Sequence, residues 1–384
     1  MTAPLVSLRG PVPTPRELGF RMPAEWEPQE SVWLVWPRDP LTWPDRVDKA
    51  RFTFLAAMKL VTPHQRVDLV VHPDLLEEAK AAVAGAGVKN VAFHAVEHQD
   101  SWIRDYGPLY VTKGPPESRE RMAVRFQFNA WGNKYEQLLK DRKVIAQLGD
   151  AIQAPLHSVE MILEGGSIDV DGWGTALTTK QCLLNKNRNP DMGQADIERQ
   201  LEEYLGIRKA IWLGDGIRGD DTDGHVDDVA RFCGPALVAT AVEEDLRHPN
   251  HAPLQDNFDI LQRAVDARGR PLRVVEIPMP ADMLDDEGEP LPASHLNFLI
   301  TNGVVLMPAF GGKSDEVAQR RLQQCFKDRP VVPLDCRDLV WGMGAIHCLS
   351  QQMPATTVQA PSVLDEFRKG VRVDGMRTDR LRQD

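Results

Sequence analysis

The chain has 384 residues and a net charge of −11, from 45 basic and 56 acidic residues. This length can bury a large core, and a composition that is 42% hydrophobic and 26% charged is ordinary for a globular protein rather than a disordered one. The negative charge argues against nucleic acid or an anionic membrane as the main partner, and it suits a small cationic substrate.

The cysteines and the amino terminus predict a cytoplasmic protein. The five cysteines are Cys182, Cys233, Cys325, Cys336 and Cys348. Their number is odd and no two form a C-x-x-C pair, which fits a reducing compartment and gives no zinc framework. The amino-terminal stretch has no apolar run after a basic region, and no stretch of about 18 apolar residues occurs. We therefore expect neither a secretory signal nor a membrane span.

The first predicted elements alternate between strand and helix. Residues 31–37 (SVWLVWP) and 67–73 (VDLVVHP) are predicted strands, and the apolar spacing of residues 46–61 predicts a helix between them. A second helix is predicted for residues 74–87, which end at a glycine. This alternation favours an α/β fold over an all-β one.

A hairpin pattern then recurs. Each copy has a polar residue, an apolar run, a turn with glycine and usually a second apolar run. The polar residues and turn glycines are Asp105 and Gly114, Glu164 and Gly172, His225 and Gly234, and Asn297 and Gly303. Helices are predicted at 196–206, 257–269 and 314–326. Recurrence at roughly 50 to 80 residues predicts repeated hairpin-and-helix units, with each polar residue near the outer end of a first strand. The alternative is an ordinary α/β protein in which hairpins recur without symmetry.

Two segments outside this pattern are predicted to be irregular. Residues 279–295 are acidic and rich in proline, so we expect a long surface loop there. Residues 361–384 are polar and mixed in charge, so we expect a loose tail. Because no linker divides the chain, we predict one domain that spans residues 1–384.

The densest polar cluster is the sequence GDDTDGHVDD at residues 219–228. A calcium loop would place Gly219 and Ala230 where ligands are needed, and one histidine without a thiol pair does not make a zinc site. Carboxylates alone leave magnesium or manganese open, and an acidic surface turn is a further alternative.

The same cluster offers a general acid and base. On a strand, His225 and Asp227 would point to the same side, and a carboxylate beside an imidazole favours its charged form. Asp221 is placed to reach the same pocket from the loop.

Two further carboxylates have neighbours that suit a binding site. Trp102 and Asp105 together offer an aromatic face and a carboxylate, which is how a flat cation is held. Burial of Trp102 in the core, with Asp105 paired to Arg104, explains that stretch equally well. Glu164 precedes two glycines, which permit close approach of the backbone, although an ordinary turn is the alternative.

Cys348 is the candidate nucleophile, in the sequence GMGAIHCLSQQ. A thiol must ionise to attack, and it needs a nearby cation to do so. No Lys or Arg lies between Arg337 and Arg368, so the cation would be His225 or a cationic substrate. The alternative for Cys348 is an inert buried thiol, which is the commoner case for a lone cysteine, and the other four cysteines are interpreted as structural. Several carboxylates in one pocket also call for a cation, and a planar guanidinium with five N–H donors fits such a set.

Seven motifs, in order, make the chain resemble the agmatine deiminases of the guanidine-modifying (pentein) superfamily, within the peptidylarginine deiminase-like family. The motifs are DSWIRDYGP, FNAWGNKY, LEGGSIDVDG, LLNKNRNP, DDTDGHVDD, SHLNFLITNG and IHCLSQQ. The resemblance implies an α/β fold of the pentein type: a five-bladed, pseudo-symmetric propeller of hairpin and helix units with the active site on its axis. It implies a hydrolase that needs no cofactor and no metal.

The resemblance also implies a role for each matching residue. These are Cys348 as nucleophile, His225 as general acid and base, Asp105 and Asp227 as guanidinium ligands, Glu164 beside the histidine, Trp102 as the aromatic wall and Asp221 as a further substrate contact. Tyr106, Asn133 and His295 depart from the usual family pattern and are candidates to shape the pocket beyond the guanidinium.

The expected reaction is hydrolysis of agmatine to N-carbamoylputrescine and ammonia through a covalent thiouronium on cysteine, in polyamine biosynthesis or agmatine catabolism. One alternative is the same chemistry on peptidylarginine or another guanidine, and another is a non-catalytic binder of cationic metabolites. The expected partner is a small guanidino substrate, with no nucleic acid, no membrane and a homo-oligomer as an open option.

Overall fold

Five mixed β-sheets organise residues 13–356, the part of the chain that the computed structural model describes. In each sheet the first two strands form an antiparallel pair, and the second strand pairs in parallel with a third. A parallel pair requires a crossover connection, and helices fill these crossovers. The predicted α/β class is therefore confirmed.

The strands, in chain order, are β1 (Gln29–Val35), β2 (Arg66–Val71), β3 (Val91–Ala95), β4 (Leu109–Lys113), β5 (Glu120–Gln127), β6 (Leu156–Ile162), β7 (Ile168–Val170), β8 (Thr175–Thr179), β9 (Lys209–Leu213), β10 (Ala230–Gly234), β11 (Leu237–Val242), β12 (Arg273–Pro278), β13 (Met283–Leu284), β14 (Pro290–Leu291), β15 (Leu299–Ile300), β16 (Val305–Ala309), β17 (Val331–Asp335) and β18 (Ser350–Pro354). The helices are α1 (Val47–Val61), α2 (Leu76–Gly85), α3 (Ile103–Tyr106), α4 (Ala130–Asn133), α5 (Val144–Leu148), α6 (Lys180–Leu183), α7 (Gln194–Leu205), α8 (His251–Arg263) and α9 (Lys313–Cys325).

The strands and helices predicted from apolar spacing are present. β1 and β2 match the first two predicted strands, and α1 and α2 match the first two predicted helices. β1 is buried almost throughout, as expected for a strand with packed elements on both faces. The three later helices are α7, α8 and α9, and α8 begins at His251, ahead of its predicted start.

The two ends of the described chain meet in one sheet. β18 pairs antiparallel with β1, which pairs in parallel with β2, and β3 extends the sheet in the order β18-β1-β2-β3. This sheet therefore repeats the strand pattern of the sheets β4-β5-β6, β7-β8-β9, β10-β11-β12 and β15-β16-β17. Its first strand comes from the carboxyl end of the chain and its other strands from the amino end.

The recurring polar residues occupy equivalent places, each in the turn that leads into the first strand of a sheet. The pairs are Asp105 and β4, Glu164 and β7, His225 and β10, Asn297 and β15, and Cys348 and β18. The prediction that each polar residue lies near the outer end of a first strand is confirmed, whereas the placement of His225 and Asp227 on a strand is wrong, because the 3-10 turn Val226–Asp228 precedes β10. Five turns at corresponding sheet ends can gather residues that are distant in sequence.

Two remaining expectations concern irregular segments. Residues 279–295 are not a simple surface loop: they contain the β13-β14 hairpin and buried Leu291 and His295. The predicted loose tail at 361–384 lies outside the described residues. Among the described residues, the helices are all too short or too polar to cross a bilayer.

Candidate active site

Cys348 is buried in the turn before β18, and its sulfur is held by a neighbouring amide. Asn297 Nδ2 lies 2.9 Å from Cys348 Sγ, and Asn297 Oδ1 accepts from the backbone N–H of His347 and of Cys348 at 3.0 and 3.2 Å. A Cβ on Gly344 would lie 2.8 Å from the Trp102 ring and 3.3 Å from Cys348 Sγ, so this close approach requires glycine. The fixed thiol therefore borders the aromatic ring that was predicted as the pocket wall.

The thiol lies among carboxylates. Asp227 Oδ2 is 3.5 Å from Cys348 Sγ, and Asn297 Nδ2 also donates to Asp228 Oδ1 at 3.1 Å. Burial, together with Asp227, Asp228 and Asp105, raises the pKa of the Cys348 thiol well above its ordinary value. These neighbours therefore keep the thiol neutral, and a cation that enters the site would favour the thiolate.

Asp105 lies in α3 and points into the same site. Its Oδ2 accepts from Trp131 Nε1 and its Oδ1 from the backbone N–H of Gly166, both at 3.0 Å. Burial raises the pKa of Asp105 to about 6. The alternative pairing with Arg104 does not occur, because that guanidinium instead donates to Gln352 Oε1 at 2.8 Å.

His225 is fully buried beside these groups, in the turn before β10. Its Nδ1 lies 3.8 Å from Asp105 Oδ1, and neither ring nitrogen has a hydrogen-bond partner among the described residues. Although burial disfavours the imidazolium, Asp105 and other neighbours raise the pKa of His225 well above its ordinary value. The ring is thus a protonated acid with both nitrogens available to a substrate.

Glu164 is close to His225 but is held by a different residue. Arg188 Nε donates to Glu164 Oε1 at 2.7 Å, while Glu164 Oε2 has no partner among the described residues. Atoms of Glu164, His225 and Cys182 that could bind a metal lie within 4.8 Å of one another. Glu164 therefore lies beside His225, as expected, without a hydrogen bond to it, and its free Oε2 can orient a water near the imidazole.

Asp227 is the carboxylate nearest the nucleophile. His347 Nδ1 lies 2.7 Å from Asp227 Oδ2, while Asp227 Oδ1 has no partner among the described residues. Although burial favours the protonated acid, His347 holds the pKa of Asp227 below its ordinary value. Asp227 is thus an ionised acceptor with one free oxygen, as a guanidinium ligand needs to be.

A cavity of about 210 Å³ leads to this cluster. Trp102, Trp131, Tyr135 and Trp341 provide its aromatic surface, and Cys348 lies in its wall. Its acidic members are Asp39, Asp100, Asp105 and Asp221, and none of the described residues in its lining is basic. The cavity therefore suits a flat cation with an apolar chain.

The acidic residues of the turn at 219–228 have different binding partners. Asp220 Oδ2 accepts from the backbone N–H of Gly224 and His225, at 2.9 and 3.0 Å, and so shapes the turn. Asp223 pairs with Lys134 and Arg188, while Tyr135 donates its hydroxyl to Asp221 Oδ2. These acids do not converge on one point, so the magnesium or manganese site that the sequence left open has no set of ligands here.

A second trio that could bind a metal is Asp227, Asp228 and Cys348, whose atoms also lie within 4.8 Å of one another. Of these two trios only Cys348 lines the cavity, and the others lie buried behind it. The free Asp227 and Glu164 oxygens fit a substrate with several N–H donors as well as they fit a metal ion.

Three residues that differ from the usual family pattern, Tyr106, Asn133 and His295, lie outside the cavity lining. Tyr106 donates its hydroxyl to the backbone oxygen of Asp100 at 2.8 Å, and His295 Nδ1 contacts the Pro308 carbonyl at 2.9 Å. Asn133 is exposed in the irregular helix α4. The expectation that these residues shape the pocket directly is therefore wrong, since none of them lines it.

Sequence reasoning missed several residues that fix the site. They are Glu25, Trp131, Arg188 and His347, with Asn297 recognised only as a repeat position. Trp131 belongs to a quoted motif, and His347 adjoins the nucleophile, so both offered a signal. Glu25 offered none, because its neighbours in space are contributed by distant turns.

Comparison with known proteins places this geometry in context. The sequence profile of the Porphyromonas-type peptidyl-arginine deiminases matches residues 21–354. A Yersinia pseudotuberculosis protein, provisionally named an agmatine deiminase, is 38% identical over 362 residues, which cover 89% of this chain and 97% of the relative. A Streptococcus mutans protein with the same provisional name is 37% identical over 364 residues, covering 89% and 98%.

Solved structures agree with these relatives. The agmatine deiminase of Enterococcus faecalis superposes with a TM-score of 0.83 at 33% identity, over 91% of this chain and 100% of that one. An agmatine deiminase of Campylobacter jejuni superposes with a TM-score of 0.77 at 29% identity, over 88% and 97%. The similarity covers nearly all of the described residues, including every turn that contributes to the site.

Proposed function

This chain belongs to the Porphyromonas-type peptidyl-arginine deiminase family, and we propose that it hydrolyses agmatine to N-carbamoylputrescine and ammonia. Membership makes it a hydrolase of carbon–nitrogen bonds, as the sequence predicted. The choice of agmatine rests on the cavity lining, which has four carboxylates and no basic side chain among the described residues.

A substrate with two positive charges suits such a lining, whereas free arginine carries a carboxylate that would need a basic partner. The relatives named as agmatine deiminases support the same choice. The alternative substrate is peptidylarginine, for which the name of the family is the supporting observation.

In the proposed complex the guanidinium lies between Asp105 and Asp227 and packs on Trp102. The free Asp227 Oδ1 and the raised pKa of the thiol support this placement, since both call for a cation at the inner end of the cavity. The substrate charge favours the Cys348 thiolate, which forms when the thiol proton passes to water in the cavity, and the sulfur then lies beside the guanidinium carbon. Asp221, which accepts from Tyr135, is placed to contact the substrate nearer the mouth.

The first step forms the S–C bond and breaks a C–N bond. The thiolate attacks the guanidinium carbon, His225 gives its proton to the departing nitrogen, and ammonia leaves a covalent S-alkylthiouronium. Water then attacks the same carbon after giving a proton to His225, with the Glu164 oxygen to orient it. Collapse expels the thiolate and leaves the ureido product, and general acid–base catalysis of this type contributes roughly 10²–10⁴ in rate.

We also propose that the five sheets form a five-bladed α/β propeller, as a single domain, with the cavity on its axis. The support is the equivalent placement of five chemistry-bearing turns before the first strands of five sheets. The proposed context is polyamine biosynthesis or agmatine catabolism. A cytoplasmic location and a homo-oligomeric state stay predictions.

The test is ammonia release from agmatine, free arginine and an arginyl peptide, each with and without EDTA. We expect a preference for agmatine that survives EDTA. A preference for the arginyl peptide would establish the alternative, and loss of activity with EDTA would establish a metallohydrolase. Cys348→Ala should abolish turnover, while Cys336→Ala, at a buried cysteine outside the cavity lining, should not.

A further inference from the structure

The imidazole of His347 lies between two carboxylates. Its Nδ1 is 2.7 Å from Asp227 Oδ2 and its Nε2 is 2.9 Å from Glu25 Oε2, and the residue is 1% exposed. An ionised carboxylate can only accept hydrogen bonds, so each ring nitrogen has to donate. When both carboxylates are ionised, only an imidazolium with a proton on each nitrogen satisfies both contacts.

Glu25 is itself immobilised, which fixes the far side of the imidazole. Its Oε2 accepts from Arg231 Nη2 at 2.8 Å, and its Oε1 accepts from the backbone N–H of Ile300 at 2.7 Å. Arg231 also donates to Asp169 Oδ1 at 3.1 Å. Three sheets thus contribute to one buried network that ends at His347.

The near side of the imidazole determines how Asp227 faces the cavity. Oδ2 of Asp227 is taken by His347, so Oδ1, which has no partner among the described residues, is the oxygen left for a ligand. We propose that His347 is a positioning residue that keeps Asp227 ionised and aims its free oxygen at the substrate. This inference rests on the proposed role of Asp227 as a guanidinium ligand.

Other charged and titratable groups also act on Asp227. They are His225, Arg231, Arg104, Asp105, Asp228 and the thiol of Cys348. Burial and the acidic neighbours oppose ionisation, whereas His347, ahead of His225 and Arg231, lowers the pKa of Asp227. Glu25 and Asp169 face His347 itself from its far side. Removal of the imidazolium should therefore raise the pKa of Asp227.

Two amide substitutions separate orientation from charge. The amide nitrogen of His347→Asn can replace Nδ1 and donate to Asp227, whereas that of His347→Gln extends to the position of Nε2, towards Glu25. Both variants lose the cation. We expect kcat/KM for agmatine to fall about 10-fold in the Asn variant and about 10²-fold in the Gln variant, because orientation is lost only in the latter.

The pH profile provides a readout that a merely structural role would not change. In the wild type, the acid limb of kcat/KM reflects Asp105, whose pKa is about 6. In both variants Asp227 should titrate as well as Asp105, so the acid limb should move to higher pH and steepen from one proton towards two. An unchanged acid limb, or equal kcat/KM for the two variants, would overturn the proposal.

Control variants guard against unfolding and unrelated losses. His94 forms a comparable imidazole–carboxylate pair, with its Nε2 2.9 Å from Asp68 Oδ1, and both residues lie outside the cavity lining. His94→Asn removes this pair and should leave the pH profile unchanged. Glu25→Gln leaves His347 in place but removes the charge that holds its second proton. The acid limb should shift in the same direction, so this variant tests the proposal even if neither His347 variant folds.

A binding experiment separates this inference from the proposed function. Methylguanidinium binding to Cys348→Ser protein, with and without His347→Gln, is measured by calorimetry as a function of pH. We expect binding by the His347→Gln protein to be lost at higher pH than in its parent. If agmatine is not hydrolysed but this shift is present, the proposed function fails and the inference stands. If agmatine is hydrolysed but the shift is missing, the inference fails and the proposed function stands.

Discussion

The side-chain amide of Asn297 clamps Cys348 from two directions, with its nitrogen 2.9 Å from the sulfur and its oxygen 3.2 Å from the backbone nitrogen. The amide oxygen therefore fixes the turn, and the amide nitrogen donates towards the sulfur of Cys348. Asn297 comes from the turn before β15 and Cys348 from the turn before β18, so the nucleophile is positioned by a neighbouring repeat unit.

Replacement of this amide by a carboxylate should impair the nucleophile. Asn297→Asp places another negative charge beside Cys348 Sγ, which should raise the pKa of the thiol further and lower kcat/KM by about 10²-fold. The pH dependence of iodoacetamide alkylation should move upwards as well. Asn257→Asp is the matched control, because that buried amide also bridges backbone groups, at Gly214 and Asp215. Unaltered alkylation in Asn297→Asp would contradict the clamp.

Gly166 leaves room for the Asp105 carboxylate and the His225 imidazole to lie side by side. A Cβ at this position would lie 2.6 Å from His225 Nδ1 and 3.0 Å from Asp105 Oδ1, although the backbone N–H would still donate to Asp105. Gly166→Ala should therefore lower kcat/KM by about 10²-fold through displacement of His225, while the melting temperature changes little. Gly85→Ala, which meets nothing within 4 Å, should retain full activity. Wild-type kinetics in Gly166→Ala would show that the site tolerates this displacement.

Arg188 joins Glu164 to the acidic turn. Its Nε donates to Glu164 at 2.7 Å, and its terminal nitrogens donate to Asp223 Oδ2 at 2.5 Å and to the Thr222 carbonyl at 2.8 Å. Arg188→Ala leaves a buried carboxylate without its partner, so the free energy of unfolding in urea should fall by about 3–5 kcal/mol. Arg199→Ala, which breaks an exposed pair, should have no measurable effect. Equal stability of the two variants would contradict the proposed structural role.

Stability should fall as the pH rises from about 4 to 7. Burial raises the pKa of Asp100 and Asp105 to about 6 and that of Asp141 to about 7, from 3.8. These three carboxyls therefore bind more protons in the folded state than in the unfolded state in this range, so the stability that they contribute is present at low pH and is lost as the pH passes their folded-state pKa values. His98, whose pKa burial lowers to about 4, acts in the opposite direction, but it is one group against three.

Urea unfolding at several pH values measures this slope. Urea suits the experiment because guanidinium chloride would compete for the site. Asp141→Asn should flatten the curve between about pH 4 and 7, the interval between the unfolded-state and folded-state pKa values of Asp141. An unaltered slope in that variant would mean that Asp141 does not keep its proton in the folded state.

The sequence predicted the strands and helices with strong apolar patterns, because burial of an amphipathic or wholly apolar segment is a local property. It also pointed to Cys348, His225, Asp105, Asp227 and Glu164 as one group, through motifs that resemble a known family. The structure places these residues close together, with Cys348 and Asp105 in the cavity lining, while their individual roles stay predictions.

Tertiary contacts decided the conformations and side-chain partners that local sequence patterns did not predict. The His225 turn is an example: its alternation resembled a strand, but Asp220 binds the backbone of the turn and holds it in a 3-10 conformation before β10. Glu164 lies beside His225, as expected, but the contact of its Oε1 with Arg188 was not indicated by local pattern.

What the sequence determined by itself was the set of chemical groups and the order of the repeating units. Only the tertiary structure decided which groups touch, because pairing of β18 with β1 brings Cys348 to the residues before the other four sheets. His347 shows the difference most clearly. Its ring has a carboxylate at each nitrogen only because folding places Asp227 and Glu25 there, from positions 120 and 322 residues away in the chain.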